Sequence, residues 1–210
     1  AYGNKQGTTT INEFDDKSLE RAVRRAEDLA RLAPENPEFM PALGKTAFKP
    51  SDTYVQATAD IDPEYRAQAA AYAIEACRKK GLVSAGFLTD RTLFETVANS
   101  NGLFGHQSAT SLDFTLTIRT EDGRGSGWAK RSARDVARFD PREAAEVAIE
   151  KAMRSVEAKA LEPGRYTVIM EPAATSDLLV FMMNGFDARN TDEGRSFLSK
   201  QGGKNRLGDK

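Results

Sequence analysis

The residues from Ser111 to Thr120 alternate strictly between apolar and polar side chains. This alternation predicts a β-strand with one face in a core and the other face towards solvent. An apolar sheet face has to be covered by a second layer, and helices elsewhere in the chain can supply that layer. The apolar face consists of Leu112, Phe114, Leu116 and Ile118.

Further strand-like segments flank this one. Leu82–Leu88 and Arg91–Ala98 are predicted strands before it, and Ser126–Ser132 is a predicted strand after it. Residues 99–102 and 121–125 are rich in asparagine, aspartate and glycine, as is typical of tight turns between strands. The whole region therefore predicts an antiparallel meander.

Three segments combine a helix-start signal with apolar residues spaced three and four apart. The first runs from Asp15 or Asp16 to about Leu32, the second from Asp62 to about Lys80, and the third begins at Asp140. Aspartate is a favoured N-cap, and the second and third helices have proline at the first helical position. We therefore predict an α+β fold, in which amphipathic helices pack on an antiparallel sheet. The apolar positions of the first helix are Leu19, Ala22, Val23, Ala26, Leu29 and Ala30. Those of the second are Ala69, Ala70, Ala73, Ile74 and Cys77, and those of the third are Ala144, Val147, Ala148, Ala152 and Val156.

The remaining segments have weaker signals. Gln6–Ile11 favours a strand through its β-branched residues, and Tyr166–Met170 is a short apolar run that predicts a strand buried on both faces. Ser176–Gly185 predicts a further helix. Residues 34–53 contain four prolines and predict an irregular surface connection. We expect its apolar side chains to pack against the core and so hold the segment in place, rather than to form a partner surface. These side chains are Phe39, Met40, Leu43 and Phe48.

The domain organisation follows from these elements. We predict an α/β domain over residues 1–160 and the first elements of a second, β-rich domain over residues 161–210. The chain opens on Ala1-Tyr2-Gly3 without a methionine, from which we expect a piece of a longer protein. Gln201–Lys210 is rich in glycine and lysine with no periodicity, and we expect a flexible end there.

Charge and cysteine content narrow the classes of function. The formal net charge is -1, with acidic and basic residues interspersed, so the sequence does not predict a nucleic-acid surface. The single cysteine, Cys77, excludes an internal disulfide, and its place on an apolar helix face favours a packed, inert thiol over a nucleophile. No apolar run reaches eighteen residues, and no signal peptide is present at the start. We therefore expect a cytoplasmic protein without a membrane role.

His106 is the only histidine, so a site with two histidine ligands cannot form within this chain. A turn or surface role is favoured over a catalytic base, because no nucleophile with a supporting third group is visible. Gly123–Gly127 is glycine-rich but lies between two predicted strands, whereas a phosphate-binding loop leads from a strand into a helix. Trp128 is interpreted as a packing residue.

The chain resembles the TldD/PmbA family, whose members are also called modulators of DNA gyrase. The resemblance rests on an ordered set of segments: Phe139-Asp140-Pro141 with the following alanine-rich helix, Glu162-Pro163-Gly164 with Tyr166–Met170, the Leu178-Leu179 pair, and Gly194–Leu198. It extends more loosely over the residues before Phe139. In that family the chain continues into a large β-rich C-terminal domain.

One departure from the family pattern decides what the resemblance implies. In the peptidase branch a His-Glu-x-x-x-His motif directly follows the Leu-Leu pair, and it supplies the zinc ligands and the general base. In this register Val180 and Gly185 take the histidine positions and Phe181 takes the glutamate position. None of these side chains can bind zinc or transfer a proton, so the resemblance implies the metal-free PmbA/TldE-like branch, with no catalytic residue, metal or cofactor of its own.

The resemblance further implies the non-catalytic subunit of a two-subunit intracellular peptidase that acts on peptide substrates. The expected partner is a TldD-like zinc peptidase subunit, or a second copy of the chain, with no direct contact to nucleic acid. The expected interface residues are Leu179, Phe181, Met182 and Met183. We expect their helix to be buried at a domain or subunit interface in the complete protein. In these 210 residues we expect some of it to be exposed, swapped with a neighbour or disordered instead. Two alternatives are an active metallopeptidase with ligands outside these residues, and a protein-interaction module without a peptidase role.

Overall fold

The computed structural model describes residues 2–200 and 204–205 of the chain. These residues form two compact units, Ala1–Asp52 with Leu93–Ser108, and Thr53–Thr92 with Ala109–Lys210. The flexible end predicted for Gln201–Lys210 lies outside the described residues, except that the backbone of Lys204–Asn205 pairs with Ser199–Lys200.

The larger of the sheets in the described residues has three strands. Strands β1 (Leu82–Ala98), β2 (Phe104–Thr120) and β3 (Ser126–Ala133) follow one another in this order across the sheet. Strand β3 pairs antiparallel with β2, with Trp128 opposite Thr117. The predicted α+β class and the turns at residues 99–102 and 121–125 are therefore confirmed. The glycine-rich residues 123–127 lead from one strand into the next, as expected.

The apolar face of β2 is the core predicted from its alternation. Its four inward side chains are each 3% exposed or less: Leu112, Phe114, Leu116 and Ile118. Two of the predicted helices supply buried residues to the core that covers this face. These are α3 (Pro63–Arg78), which contributes Ala73 and Cys77, and α4 (Pro141–Arg154), which contributes Ala144, Ala145, Ala148, Ile149 and Ala152.

Strand β3 and α4 approach unusually closely because both surfaces consist of small residues. A Cβ atom on Gly127 would lie 2.0 Å from the carbonyl oxygen of Ala148, and one on Gly125 would lie 2.3 Å from that of Ala152. The contact is completed by Ser155, whose hydroxyl accepts from the backbone N–H of Ser126 at 2.8 Å and donates to its carbonyl at 2.9 Å. No side chain larger than hydrogen fits at Gly127 unless the helix moves.

The helix starts agree with the sequence prediction. Asp15 caps α1 (Asp16–Leu32) by accepting from the backbone N–H groups of Lys17 and Ser18. Asp62 and Asp140 cap α3 and α4 in the same way. The predicted apolar face of α1 is only partly buried, because Ala30 is 1% exposed whereas Val23 is 56% exposed.

Several local predictions are wrong. Gln6–Ile11 forms no strand; instead the backbone at Gly7 lies against α1, where a Cβ atom would be 2.2 Å from the carbonyl oxygen of Ala26. The break predicted between Leu88 and Arg91 is absent, because Asp90 is accommodated within β1 by an ion pair to Arg66 at 2.6 Å.

Residues 34–53 are irregular, as predicted. The prediction that their apolar side chains pack against the core is wrong for Met40 and Leu43, which are 82% and 70% exposed. Hydrogen bonds hold the part of the segment around Leu43 instead. The side-chain amides of Asn99 and Asn101 donate to the carbonyl oxygens of Leu43 and Ala42.

The structure adds short elements that the sequence did not indicate. These are the helix α2 (Gln56–Ala59) and a 3-10 turn at Val136–Arg138. The hydroxyl of Thr58 joins the two, since it donates to the carbonyl oxygen of Arg134 at 3.0 Å and accepts from the backbone N–H of Val136 at 2.9 Å. None of the helices within residues 2–200 and 204–205 has both the length and the apolar composition that a membrane crossing requires.

Candidate functional site: the helix at the degenerate metal motif

The positions singled out by the metal motif lie on and just after helix α5 (Pro172–Met183). The helix begins four residues earlier than predicted, with Pro172 in its first turn, where a missing N–H removes no helical hydrogen bond. Glu171 precedes it, and its carboxylate receives a hydrogen bond from Lys151 of α4 at 2.5 Å. This ion pair ties the start of α5 to the helical layer of the core.

Six consecutive residues of α5 are apolar and exposed, and we call Leu178–Met183 the α5 surface. Their exposed fractions range from 39% for Met182 to 76% for Phe181, and no residue of α5 is buried. A helix that is apolar all round is normally buried in a core or an interface. Of the three outcomes expected for this helix, the structure shows exposure, which leaves the α5 surface as an apolar face without a covering layer among the described residues.

The segment before α5 extends this apolar character. Tyr166–Met170 forms no strand, so the prediction of a buried strand is wrong; Val168 is 70% and Ile169 is 97% exposed. A strand needs a neighbour to bond its backbone groups, and no strand of the described chain pairs with this segment. The pattern identified apolar residues correctly but could not show what they would pack against.

Gly185 lies just beyond the end of α5 and is enclosed by the segment that follows. Its N–H donates to the carbonyl oxygen of Met182 at 3.0 Å, and its own carbonyl oxygen accepts from the hydroxyl of Ser196. A Cβ atom at this position would lie 2.3 Å from the ring of Phe197. The ring of Phe197 therefore occupies the space in which a side chain at residue 185 would begin.

Neighbouring contacts hold the Ser196–Phe197 segment in place. The ring of Phe197 packs beside that of Phe186, with 5.9 Å between their centroids. Helix α6 (Ala188–Asp192) lies in the intervening chain, and its Thr191 accepts from the hydroxyl of Ser199 at 2.7 Å. Next to this helix, hydrogen bonds from Arg189 and Arg195 lower the pKa of Glu193. No local pattern in the sequence predicted this enclosure of Gly185, although Gly194–Leu198 belongs to the segments that carry the family resemblance.

The side chains at this site do not fit a zinc ion. Val180 and Phe181 carry hydrocarbon side chains and Gly185 has none, whereas zinc requires histidine, cysteine or carboxylate ligands. Within residues 2–200 and 204–205, no group of three or more such side chains is arranged to hold a metal ion. The α5 surface offers apolar area whose burial would be favourable.

The three other residues singled out from the sequence lie on other elements. Cys77 is 1% exposed on the inner face of α3, and burial raises the pKa of its thiol despite a hydrogen bond from Ser84 that acts in the other direction. This position confirms a packed thiol. His106 lies on β2 rather than in a turn and is exposed, so the surface part of its prediction is confirmed. Trp128 is 41% exposed, so it is less fully packed than predicted.

Comparison with known proteins identifies the family. Residues 48–156, more than half of the chain, match the profile of the PmbA/TldA metallopeptidase central domain, and residues 163–210 match that of the PmbA/TldA metallopeptidase C-terminal domain. The chain therefore belongs to the PmbA/TldD family. No curated protein matches it significantly in sequence.

Solved structures share the fold at low sequence identity. A candidate modulator of DNA gyrase from Bacteroides thetaiotaomicron superposes with a TM-score of 0.80 at 22% identity, over 93% of this chain and 47% of its own. A second, from Thermotoga maritima, gives 0.79 at 20% identity over 95% and 46%. TldE from Thermococcus kodakarensis gives 0.59 at 17% identity over 68% and 34%. The chain thus spans less than half the length of these structures.

Proposed function

We propose that this chain forms part of a metal-free, PmbA/TldE-like subunit that assists a zinc-bearing peptidase subunit inside the cell. The observation that carries the proposal is the replacement of all three metal-motif positions by Val180, Phe181 and Gly185. The ring of Phe197 supports it, because it fills the space beside Gly185. In this proposal, the catalytic chemistry on peptide substrates belongs to the partner subunit.

We further propose that the α5 surface is where the partner binds. An exposed apolar patch marks an interaction site more often than a free surface, because covering it gains about 25 cal/mol per Å² removed from water. Phe181 is the most exposed residue of this surface, and large aromatic side chains are the usual anchors of interfaces. Phe181 takes the position of the catalytic glutamate of the peptidase branch, and in this proposal it would contact the partner subunit instead.

The domain boundary near residue 160 is part of the same proposal. The proposal is supported by the two family profiles, which match the separate ranges 48–156 and 163–210. Residues 157–171 contain no helix or strand, and Leu161 is 75% exposed. An exposed, irregular stretch is typical of a connection between domains.

Co-purification with a zinc-bearing family member tests the proposal. The chain is co-expressed with a tagged relative that carries His-Glu-x-x-x-His, as wild type and as Phe181→Asp/Met183→Asp. We expect the double variant to lose most of the complex, because it places two charges in the apolar contact. The matched control is Val83→Asp/Phe87→Asp, which charges two residues of similar exposure on β1.

Thermal unfolding of each isolated variant shows whether the fold is kept. A complex that survives the α5 substitutions, or that the control weakens equally, contradicts the proposed interface. Sedimentation of the chain alone tests self-association, and a stable homodimer that is lost in the α5 variant would assign the surface to a second copy instead.

A further inference from the structure

A groove of about 620 Å³ lies in the second unit, between α3 and the segment Val136–Arg142. Tyr65, Gln68, Ala69 and Tyr72 line it from α3, and their spacing of three and four residues places them on one side of that helix. Ligand sites commonly have volumes of about 300–1,000 Å³ and combine apolar walls with a few polar groups. The proposed function leaves this groove without a role.

Apolar side chains from both sides contribute to the lining. Ala69 is 4% exposed, and Phe139 is only partly exposed because its ring also packs edge-on against that of Phe114. Val136 and Pro141 add further apolar surface. The groove therefore offers contacts to the apolar side chains of a ligand.

Two tyrosine hydroxyls at the groove are not used within the fold. Within residues 2–200 and 204–205, the hydroxyls of Tyr65 and Tyr72 form no hydrogen bond. Burial raises the pKa of Tyr65, and the nearby charge of Asp140 adds to this rise. Both phenols stay protonated at neutral pH, and each can donate a hydrogen bond to a ligand and accept one from it.

Two arginines give the groove a positive charge. Arg142 binds the carboxylate of Asp140 through Nε at 2.8 Å and Nη2 at 2.7 Å, and its Nη1 has no partner in the described part of the chain. The side chain of Arg138 is 84% exposed, and its Nε lies 3.8 Å from the carboxylate of Asp135, which is beyond hydrogen-bond distance. Asp140 is the only acid among the described residues that line the groove, so the two guanidinium groups outweigh it.

The length of the groove along α3 indicates the size of the ligand. Tyr65 and Tyr72 are seven residues apart, which corresponds to about 10 Å along the helix axis. An extended peptide advances about 3.3 Å per residue, so about three residues span this distance. A single small anion would occupy only part of it.

We propose that this groove binds an acidic segment of an extended peptide, about three residues long. The carboxylate of the central residue accepts from Nη1 of Arg142 and from the guanidinium of Arg138. The two tyrosine hydroxyls bond to the peptide backbone, and the flanking apolar side chains contact Ala69 and Phe139. This binding site is independent of the α5 surface and of the proposed subunit role, so either proposal can fail while the other holds.

The five tyrosines of the chain locate the binding directly. The chain is labelled with 3-fluorotyrosine, and its fluorine NMR signals are assigned with single Tyr→Phe variants. Acetyl-Leu-Glu-Leu-amide is titrated, with acetyl-Leu-Gln-Leu-amide and inorganic phosphate as the comparison probes. We expect saturable shifts of the Tyr65 and Tyr72 signals with the glutamate peptide, and unchanged signals from Tyr2, Tyr54 and Tyr166. The glutamine peptide should bind roughly tenfold more weakly, because it lacks the charged acceptor.

Variants separate the groove from a general charge effect. Arg142→Gln should weaken binding of the glutamate peptide roughly tenfold, because it removes a charged hydrogen bond. The matched control is Arg154→Gln, which removes the same charge from another ion pair of α4, to Glu150 at 2.7 Å, outside the groove, and should leave the affinity unchanged. Arg138→Gln changes an exposed side chain, so it should keep the thermal unfolding of the wild type and weaken binding about threefold.

Four outcomes would each overturn the proposal. They are equal binding of the two peptides, shifts spread over all five tyrosines, equal effects of Arg142→Gln and Arg154→Gln, and tighter binding of phosphate than of the glutamate peptide. The last would assign the groove to a small anion instead.

Discussion

Phe114 offers the most direct test of the core. The side chain is 2% exposed on β2, and its ring meets that of Phe139 edge-on, with 6.4 Å between centroids. Replacement by alanine removes the buried ring and the aromatic contact. Phe→Ala changes in protein cores cost about 3–5 kcal/mol of the free energy of unfolding, as the sum of lost transfer energy and the cavity left behind.

The surroundings place the expected value in the upper half of that range. A cavity of about 140 Å³ already lies beside Phe114 and Leu116. The nearest residues of α3 include Ala70 and Ala73, whose side chains are too short to fill the additional space. Because the cost rises with the volume that cannot collapse, we expect a loss of about 4–5 kcal/mol.

Urea unfolding of the wild type and of Phe114→Ala, followed by circular dichroism, measures the change. The matched control is Phe104→Ala, which removes the same side chain from the same strand at a position that is 66% exposed, and we expect it to cost less than about 1 kcal/mol. An unchanged unfolding midpoint for Phe114→Ala, or equal losses for the two variants, would show that the faces of β2 are assigned incorrectly.

Three further predictions concern the glycine contact, the metal and one helix cap. Gly127→Ala should cost about 3 kcal/mol, because its Cβ meets the backbone of α4, whereas Gly44→Ala, with open space around it, should cost about 0.5 kcal/mol or less in the same urea assay. Purified, tag-free chain should contain no stoichiometric zinc by elemental analysis, and a one-to-one content would contradict the interpretation of Val180 and Gly185. Hydrogen bonds from Arg142 lower the pKa of Asp140 in the folded state, so the stability that the carboxylate provides is present above its unfolded pKa and is lost as the pH falls through the folded value. Asp140→Asn should therefore show a smaller drop in melting temperature between pH 7 and pH 3 than the wild type, and an unchanged drop would contradict this role.

The features that the sequence predicted correctly depend on residues close together in the chain. Asp15, Asp62 and Asp140 each cap the helix that follows them, because an N-cap bonds to backbone groups two or three residues ahead. The alternation along β2 also predicted its buried face, since side chains on a strand point to opposite sides in turn. Both features therefore need no knowledge of the rest of the fold.

The features that it missed depend on distant neighbours. Tyr166–Met170 has the composition of a buried strand, but no strand of the described chain lies beside it. At the candidate site, the motif register identified Gly185, yet only the structure shows that Phe197, twelve residues later, covers it. Such contacts arise when segments far apart in the chain fold back on one another. Local sequence patterns do not show which distant segments become neighbours.

The close contact between β3 and α4 has a consequence for the order in which the molecule folds. Only residues 134–140 separate the two elements along the chain, so bringing them together closes a short loop at little entropic cost. The helix that completes the helical layer, α3, is separated from α4 by residues 79–140, so the contact between these two helices is of higher order. We expect β3 and α4 to associate early in folding. The contact between their glycine and alanine surfaces would then already be formed in the folding transition state, as it is in the native structure.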